Sequence, residues 1–238
     1  MGVYAVKEVF GSFQGEGYHA GRPCVFVRFA GCDVWDGKEE NRAEAARERG
    51  GCALYCDTDF VGTDGHNGGR YKGVGALVGV AQYEWDRCAM AIPAHCHSAA
   101  TRIAVSPRKY VVFTGGEPTL QLDEELIAAF KREGWETAIE TNGSNHLPPG
   151  LDWVTLSPKP PKRVVLTQAS EVKCLYPDVV RNPLDYEALA AKRYVQPIDK
   201  RTHSELDALR SLDTCVQFAL KHIGWKVSLQ LHKLMGVP

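Results

Sequence analysis

The chain has 238 residues, 44% of them apolar and 24% charged, and a formal net charge of −1. This composition is ordinary for a globular protein that buries a sizeable core. Proteins that bind nucleic acid through phosphates usually carry a basic excess, so the charge balance predicts no direct nucleic-acid contact. No window approaches the roughly 18 consecutive apolar residues that span a bilayer, and residues 1–10 lack the pattern of a secretory signal. We therefore expect a cytoplasmic protein without membrane contact.

Seven short apolar runs follow one another along the chain, and most end in a polar or glycine-rich turn. They are VFVRFAG (25–31), KYVVFTGG (109–116), TAIETNG (137–143), DWVTLSPK (152–159), SEVKCLYP (170–177), RYVQPID (193–199) and KVSLQLHK (226–233). Near-continuous apolar character is typical of strands that are covered on both faces of a parallel sheet. Helical patterns separate several of the runs, and this alternation predicts an α/β fold of the open or barrel type.

Two helices are predicted from apolar periodicity. The first spans 121–133, ends at Gly134 and has one apolar face, formed by Leu122, Leu126, Ile127 and Phe130. The second spans 204–222, begins at Ser204 as its N-cap, and has a face formed by Leu206, Leu209, Leu212, Val216 and Leu220.

Two segments interrupt the alternation. Residues 36–51 are mostly charged and rich in alanine, and residues 87–107 are predicted to form an irregular insertion. The insertion contains zinc-type ligands, namely Cys88, His95, Cys96 and His97. Their spacings match no familiar zinc site, which favours a solvated loop. With no internal repeat and no linker rich in Pro, Gly or Ser, we expect one domain over 1–238.

Polar residues stand where the predicted strands end. They are Arg28, Cys32, Thr114 to Pro118, Glu140 to Asn142, Ser157 to Lys159, Lys173, and Gln196 to Asp199. Functional groups of parallel α/β folds gather at the C-terminal ends of the strands. Each motif alone could be a simple turn, but their occurrence at successive strand ends predicts one shared site.

Three of the eight cysteines lie near these ends. In a reducing compartment, so many thiols indicate metal or catalytic use for some of them rather than disulfides. Cys32, Cys52 and Cys56 have no nearby histidine to complete a closed zinc site. Three thiolates with one ligand missing match an iron–sulfur cluster that has an open iron. The alternative is that these three are ordinary buried thiols. Cys24, Cys174 and Cys215 lie within apolar patterns, and we expect them to be core residues.

Several motifs occur in a characteristic order. They are FQGEG (13–17), GRPCVFVRFAGCDVW (21–35), CDTDFVGTDG (56–65), TGGEP (114–118), ETNGS (140–144), SPK (157–159), QP (196–197) and the terminal HK (232–233). On these motifs the chain resembles the radical S-adenosylmethionine superfamily and, more narrowly, the 7-carboxy-7-deazaguanine synthase family. The resemblance runs from residue 4 to the C-terminus and is interrupted by 87–107.

The resemblance implies a modified partial (β/α) barrel with a largely parallel sheet, usually in a homodimer. It implies a 4Fe–4S cluster, S-adenosylmethionine and Mg²⁺ as cofactors, and a flavodoxin- or ferredoxin-type electron donor. The implied reaction is that of a carbon–nitrogen lyase. It contracts the ring of 6-carboxy-5,6,7,8-tetrahydropterin to 7-carboxy-7-deazaguanine with loss of ammonia, on the path to queuosine, a modified tRNA nucleoside.

The resemblance also implies roles for individual residues. The cluster ligands would be Cys32, Cys52 and Cys56, and Thr58 would ligate Mg²⁺. The S-adenosylmethionine site would comprise Tyr55, Cys56, Asp57, Gly116, Glu140, Ser157, Pro158, Lys159, Gln196, Pro197, Ile198 and Asp199. The substrate site would comprise Phe13, Gln14, Gly15, Glu16, Arg28, Thr114 and Pro238. No catalytic residue is implied beyond the cluster and the cofactor.

The chain departs from the family at the second thiol. Relatives space the second and third thiols as C-x-x-C, whereas here the spacing is C-x-x-x-C and Ala53 holds the expected position. Either Cys52 ligates through a one-residue bulge, made easier by the backbone freedom of Gly50 and Gly51, or the cluster is compromised. Two alternatives therefore stay open: an activase that makes glycyl radicals, against which QGEG and SPK argue, and a degenerate metal-binding homologue.

Overall fold

A computed structural model describes residues 2–49, 52–90, 108–159, 161–177, 182–198 and 205–238. The strands are β1 (Val3–Phe13), β2 (Pro23–Phe29), β3 (Gly69–Lys72), β4 (Tyr110–Gly115), β5 (Glu136–Thr141), β6 (Trp153–Leu156), β7 (Glu171–Tyr176), β8 (Lys192–Pro197) and β9 (Trp225–Val227). The α-helices are α1 (Arg42–Arg49), α2 (Cys52–Tyr55), α3 (Val74–Met90), α4 (Glu124–Arg132), α5 (Glu205–Lys221) and α6 (Leu231–Met235). Short 3₁₀ turns span Glu39–Asn41, Pro118–Leu120 and Pro183–Leu189.

All of these strands belong to one open sheet, in the spatial order β3–β1–β2–β4–β5–β6–β7–β8–β9. From β2 to β9 every neighbouring pair is parallel, whereas β1 is antiparallel to both β2 and β3. The order follows the chain from β4 onward, so the C-terminal ends of the parallel strands meet at one edge. The expected α/β fold, a modified partial (β/α) barrel with a largely parallel sheet, is confirmed.

The core consists of two large apolar clusters along the sheet. The first cluster joins β1, β2, β4 and β5 to helices α3 and α4, with Val27, Phe113 and Phe130 fully buried. The second cluster joins the β6–β9 half of the sheet to α5, around Val172 and Val195. Because the helices bury the body of the sheet, the polar strand ends are left to form a site at its edge.

The first predicted helix is confirmed. Asp123 accepts a hydrogen bond from the amide of Leu126 at the N-terminus of α4, which satisfies an otherwise unpaired donor. All four residues of the predicted apolar face are buried. Gly134 follows the helix with a φ of +77°, a left-handed conformation that glycine adopts without strain.

The predicted apolar face of the second helix is wrong. Leu212, Val216 and Leu220 on α5 are exposed, and Ser204 and the side chains of Leu206 and Leu209 lie outside the described residues. The buried face contains Ser211, Cys215 and Phe218 instead. Ser211 accepts from the amide of Ile198 and donates to the carbonyl oxygen of Tyr176. Apolar periodicity does not predict that a serine is buried when, as here, its hydroxyl has hydrogen-bond partners inside the protein.

Three further differences concern secondary structure. In the run 226–233 only the first two residues are in a strand, the end of β9, and the last three are in helix α6. The expectation of an irregular segment over 87–107 is wrong for residues 87–90, which end helix α3; residues 91–107, with His95, Cys96 and His97, lie outside the described part. Strands β1 and β3 and helix α3 were not predicted; the register of β1 against β2 shifts between Val6 and Glu8, and buried and exposed residues do not alternate along it.

No helix in the described ranges is both long and apolar enough to cross a membrane.

Candidate active site

A cavity of about 490 Å³ opens at the C-terminal edge of the parallel strands. Its wall takes in nearly all of the residues that the motifs implied, namely Phe13, Gln14, Gly15, Glu16, Arg28, Cys32, Cys52, Tyr55, Cys56, Asp57, Thr58, Thr114, Gly116, Glu140, Ser157, Lys159, Gln196, Pro197 and Pro238. Register explains the convergence, because Arg28 pairs with Thr114 across β2 and β4, and Leu175 pairs with Gln196 across β7 and β8.

Three of the implied residues are not in this wall. Pro158 is buried. Ile198 is buried and donates its amide to Ser211 Oγ at 2.9 Å, so it supports the end of β8 from the side of α5. Asp199 lies outside the described residues.

The three candidate thiols share the cavity. Cys32 follows β2, Cys52 begins α2, and Cys56 follows the last residue of that helix. Burial raises the pKa of the Cys32 thiol, while the amide of Val34 donates to its sulfur at 3.4 Å. Cys24, Cys174 and Cys215 are buried in the core, and Cys88 on α3 packs against Gly11 of β1.

The second thiol begins a helical turn, Cys52–Tyr55, and the third thiol follows that turn; ligation of iron by Cys52 stays a prediction. Four positions, about one helical turn, separate Cys52 from Cys56, and both residues border the cavity. Gly50 and Gly51 are outside the described residues. The second and third thiols therefore border the same cavity as Cys32.

The donor chemistry of this wall fits an iron–sulfur cluster. Among the residues that the structure describes, no three His, Cys, Asp or Glu side chains already stand in an arrangement that holds a metal ion. The match therefore rests on the donor set: three thiols border one cavity, and iron–sulfur clusters are bound by thiolates.

The TGGEP turn closes the wall between β4 and β5. A Cβ atom on Gly116 would lie 2.1 Å from the carbonyl oxygen of Gly31, so only glycine permits this approach to the Cys32 loop. Glu117 is fully buried and faces away from the cavity. It accepts hydrogen bonds from the hydroxyl of Thr141 at 2.7 Å and from the amide of Asn142 at 2.8 Å. Burial raises the pKa of Glu117, against the effect of these hydrogen bonds. Glu117 thus ties the ends of two strands together.

A buried charge network forms one side of the cavity. The Lys173 ammonium contacts the carboxylate of Glu16 and lies 3.7 Å from Glu140 Oε1. Gln196 and Gln230 each donate to Glu16 Oε1, at 3.0 and 2.9 Å. Burial alone would raise the pKa of Glu16, but the charge and hydrogen bond of Lys173 outweigh it and lower the pKa to about 2. Burial works to lower the pKa of Lys173, and the two carboxylates reverse that effect and raise it. The network therefore holds a protonated lysine and ionised Glu16.

Arg28 and the serine–lysine motif carry the remaining polar groups. Arg28 donates from Nε to Glu8 Oε1 at 2.8 Å, an ion pair that orients the guanidinium at the cavity wall. Ser157 donates to the carbonyl oxygen of Lys173 at 3.0 Å, and Lys159 donates to Ser157 Oγ at 3.2 Å. The end of β6 is thereby coupled to the lysine of the charge network.

The C-terminal segment forms a wall that sequence reasoning assigned only through Pro238. The amide of Leu231 donates to the carbonyl oxygen of Gly15 at 2.9 Å, and a Cβ atom on Gly15 would lie 2.0 Å from His232 Nδ1. Lys233 donates to Asp57 Oδ2 at 2.7 Å. The C-terminal residues thus bind both the QGEG loop and the residue next to the third thiol.

Sequence reasoning missed two other residues beside the thiols. Asp33 accepts hydrogen bonds from Asn142 Nδ2 at 2.9 Å and from Ser144 Oγ at 2.7 Å, which fixes the Cys32 loop to the end of β5. Arg42, in the charged segment 36–51, donates to the carbonyl oxygen of Cys56 at 3.0 Å. The position of Asp33 directly after the first thiol was a usable signal, whereas nothing local marked Arg42.

A largely parallel open sheet, with three thiols and a polar charge network around one cavity at its strand ends, fits the radical S-adenosylmethionine class that the sequence resemblance implies. Comparison with protein-family models gives no match. Comparison with curated proteins gives clear matches. The chain is 42% identical to 7-carboxy-7-deazaguanine synthase of Bradyrhizobium diazoefficiens, over 98% of this chain and 99% of that protein. It is 41% identical to the synthase of Bordetella pertussis, over 99% of this chain and all of that protein.

A solved structure is also similar. The crystal structure of QueE from Escherichia coli matches with a TM-score of 0.60 and 26% identity, over 97% of this chain and 95% of that one. The chain belongs to the 7-carboxy-7-deazaguanine synthase family. This membership confirms the sequence-based resemblance, and it favours the synthase over the glycyl-radical activase. It makes the chain a lyase of the radical type in queuosine biosynthesis.

Proposed function

We propose that this cavity converts 6-carboxy-5,6,7,8-tetrahydropterin to 7-carboxy-7-deazaguanine with release of ammonia. The proposal rests on one observation, namely that two groups of functional residues border the same cavity. Three thiols border it on the side of β2 and α2, and the Glu16–Lys173–Glu140 network borders it on the side of β5 and β7. Residues 1–238 act as one domain in this proposal, because all of the described strands belong to a single sheet.

The substrate is held on the side of β1, β2 and β4. Arg28 binds the pterin carboxylate, because a guanidinium grips a carboxylate with two parallel hydrogen bonds. Glu8 accepts the hydrogen bond from Arg28 Nε, so the two terminal nitrogens of the guanidinium are left to bind the carboxylate of the ligand. The remaining contacts to the pterin come from Phe13, Gln14, Gly15, Glu16, Thr114 and Pro238, all of them in the cavity wall.

The charge network selects and orients this substrate. Glu16 is ionised, with a pKa of about 2, and therefore accepts hydrogen bonds from the N–H groups of the pterin rather than donating to it. Glu140 is positioned by Gln14, whose Nε2 donates to Glu140 Oε1 at 3.0 Å. Two carboxyl groups of fixed geometry favour a ring that presents hydrogen-bond donors on that edge.

Cys32, Cys52 and Cys56 hold the 4Fe–4S cluster, and the S-adenosylmethionine site extends from the thiol turn to the ends of β4, β6 and β8. Its contacts are Tyr55, Cys56, Asp57, Gly116, Glu140, Ser157, Pro158, Lys159, Gln196, Pro197, Ile198 and Asp199. When bound, the cluster and S-adenosylmethionine supply the one-electron chemistry that starts the ring contraction. The protein keeps the reacting atoms together and excludes water.

The reaction is tested by mass spectrometry of the anaerobically reconstituted enzyme with 6-carboxytetrahydropterin, S-adenosylmethionine and a reductant. We expect 7-carboxy-7-deazaguanine to appear over many turnovers. Replacing Arg28 by lysine keeps the charge but removes the forked donor, so KM should rise more than kcat falls. Absence of the product from enzyme with a full complement of iron would contradict the proposal.

Magnesium is proposed to bind at Thr58, next to the third thiol. The side chain borders the cavity, and a hydroxyl together with water and substrate oxygens suits this hard cation. Thr58→Ala should therefore lower the activation of turnover by Mg²⁺ several-fold, measured as rate against magnesium concentration. Thr63→Ala, in the same loop but not in the cavity wall, is the control. An unaltered magnesium response in Thr58→Ala would refute this ligand.

The enzyme is further proposed to be a cytoplasmic homodimer reduced by a flavodoxin- or ferredoxin-type protein. The seven described cysteines form no disulfide with one another, which suits a reducing compartment. An apolar stripe on α5, formed by Leu212, Val216 and Leu220, continues to Ile223, which is 97% exposed. A stripe of this kind suits a self-complementary contact between two copies, and a monomeric mass in sedimentation would contradict it.

A further inference from the structure

The guanidinium of Arg42 reaches across to the turn that carries the second and third thiols. Its Nη1 donates to the carbonyl oxygens of Ala53 and Cys56, the latter at 3.0 Å. Arg42 is the first residue of α1, in the charged segment between β2 and the thiol turn. This segment therefore contributes a contact to the site and is not merely a solvated insertion.

The carbonyl groups that Arg42 binds are those that a short helix leaves without partners. Helix α2 is a single turn of four residues, and the carbonyls at the end of a helix have no intrahelical donor. A cation at that end also meets the negative pole of the helix. Arg42 thus holds the end of the turn that begins at Cys52 and is followed directly by Cys56.

Arg42 is itself held in place from two sides. Glu39 accepts from its Nε at 2.8 Å, and the guanidinium lies 4.8 Å from the centre of the Trp35 ring. Trp35 is buried in the small apolar cluster that also contains Cys52 and Phe60. Because both contacts constrain the planar group, its donors are preorganised toward the turn.

We propose that Arg42 is a positioning residue for the cluster. It holds the Cys52–Cys56 turn in the conformation that ligates iron, and its fixed positive charge raises the reduction potential of the bound cluster. The proposal rests on the cluster ligands assigned under the proposed function. Net charge and hydrogen bonding around an iron–sulfur cluster are among the features that set its potential.

The test compares Arg42→Gln and Arg42→Lys with Arg47→Gln, which removes one charge from an exposed position of the same helix. Two properties of the reconstituted protein are measured: the rate of iron loss to a chelator and the reduction potential from a titration followed by electron paramagnetic resonance. Circular dichroism and thermal unfolding establish that each variant folds.

We expect Arg42→Gln to lose iron about tenfold faster, the effect of losing a charge-assisted hydrogen bond, and to have a more negative potential. Arg42→Lys should also lose iron faster, because an ammonium cannot reproduce the fork, but should keep most of the potential. Arg47→Gln should match the unchanged protein in both properties. A purely structural role would alter iron loss without separating the potentials of the Lys and Gln variants, and that result would overturn the proposal.

A measurement on cluster-free protein separates this inference from the proposed function. Alkylation of Cys56, followed by mass spectrometry, should be faster in Arg42→Gln than in Arg47→Gln because the turn is released. If the unchanged protein never binds iron, the proposed function fails while the alkylation rates still report on the Arg42 contact. Equal alkylation in both variants would overturn the positioning role.

Discussion

Replacing Cys52 by alanine is expected to abolish cluster retention as completely as replacing Cys32 or Cys56. Iron and sulfide should fall from about four of each per chain to less than one after anaerobic reconstitution, because a cluster with an open iron needs three thiolates. Cys52 and Cys56 border the same cavity as Cys32, and the residue after Cys52 offers no replacement ligand. Ala53 is buried and carries no donor. Product formation should disappear with the iron.

The matched controls are cysteines that lie away from the cavity. Cys24 is buried in the sheet, and Cys88 packs against β1. The variants Cys24→Ala and Cys88→Ala should both keep their iron. Cys96→Ala, at a position outside the described residues, should also keep it. If Cys52→Ala retained iron and sulfide while one of these controls lost them, the middle ligand would come from elsewhere. That outcome would also renew the case for a degenerate thiol turn.

Replacing Lys173 by methionine is expected to be the most damaging change in the charge network. The side chain of Lys173 is only 6% exposed, and its loss leaves Glu16 and Glu140 without their buried cation. Removing one partner of a buried ion pair typically costs about 3–5 kcal/mol of folding free energy. Lys131→Met is the control, because its exposed ion pair with Asp152 is worth less than about 1 kcal/mol. Urea unfolding of the cluster-free proteins at pH 7 measures both.

The dependence on pH gives this prediction a distinctive signature. The pKa of Glu16, about 2 in the folded protein, lies below its ordinary value. Its contribution to stability is therefore present above roughly pH 4.5 and is lost as the pH falls toward 2. Without Lys173, burial should raise the pKa of Glu16 above its ordinary value. The variant should then gain stability as the pH falls through that raised pKa, so the gap to the unchanged protein narrows.

A double variant tests the cause directly. Glu16→Gln in the Lys173→Met background removes the uncompensated charge and should recover a large part of the lost stability, although substrate binding stays impaired. If the double variant is no more stable than Lys173→Met, the damage comes from packing and not from the buried carboxylate. An unfolding free energy of Lys173→Met equal to that of Lys131→Met would also contradict the prediction.

Much of the candidate site could be predicted from local patterns. Arg28, Thr114, Glu140, Lys173 and Gln196 stand at the ends of apolar runs, and parallel strands bring such ends to one edge whatever the details of packing. Helix α4 could be predicted equally well, because its N-cap, apolar face and terminal glycine all lie within fourteen consecutive positions, 121–134. In both cases the information lies within one element.

Patterns failed where an element's surroundings decide its structure. Helix α5 has two faces of comparable apolar content, and it buries Cys215 and Phe218 rather than Val216 and Leu220. The choice depends on Tyr176, which accepts a hydrogen bond from Cys215 Sγ at 3.3 Å and whose ring packs on Phe218. The run 226–233 likewise changes from strand to helix because its end is bound by the QGEG loop, more than two hundred residues earlier.

The sequence by itself determined the kind of chemistry and the edge of the sheet at which it occurs, because residue types and strand ends are local properties. Only the tertiary structure decided which groups pair there. Lys173 meets Glu16 across 157 positions, and Lys233 meets Asp57 across 176. Several carboxylates in the chain could have satisfied either lysine. The pairing, and with it the ionisation of Glu16 inside the cavity, follows from the order of the strands and from the C-terminal segment that closes over them.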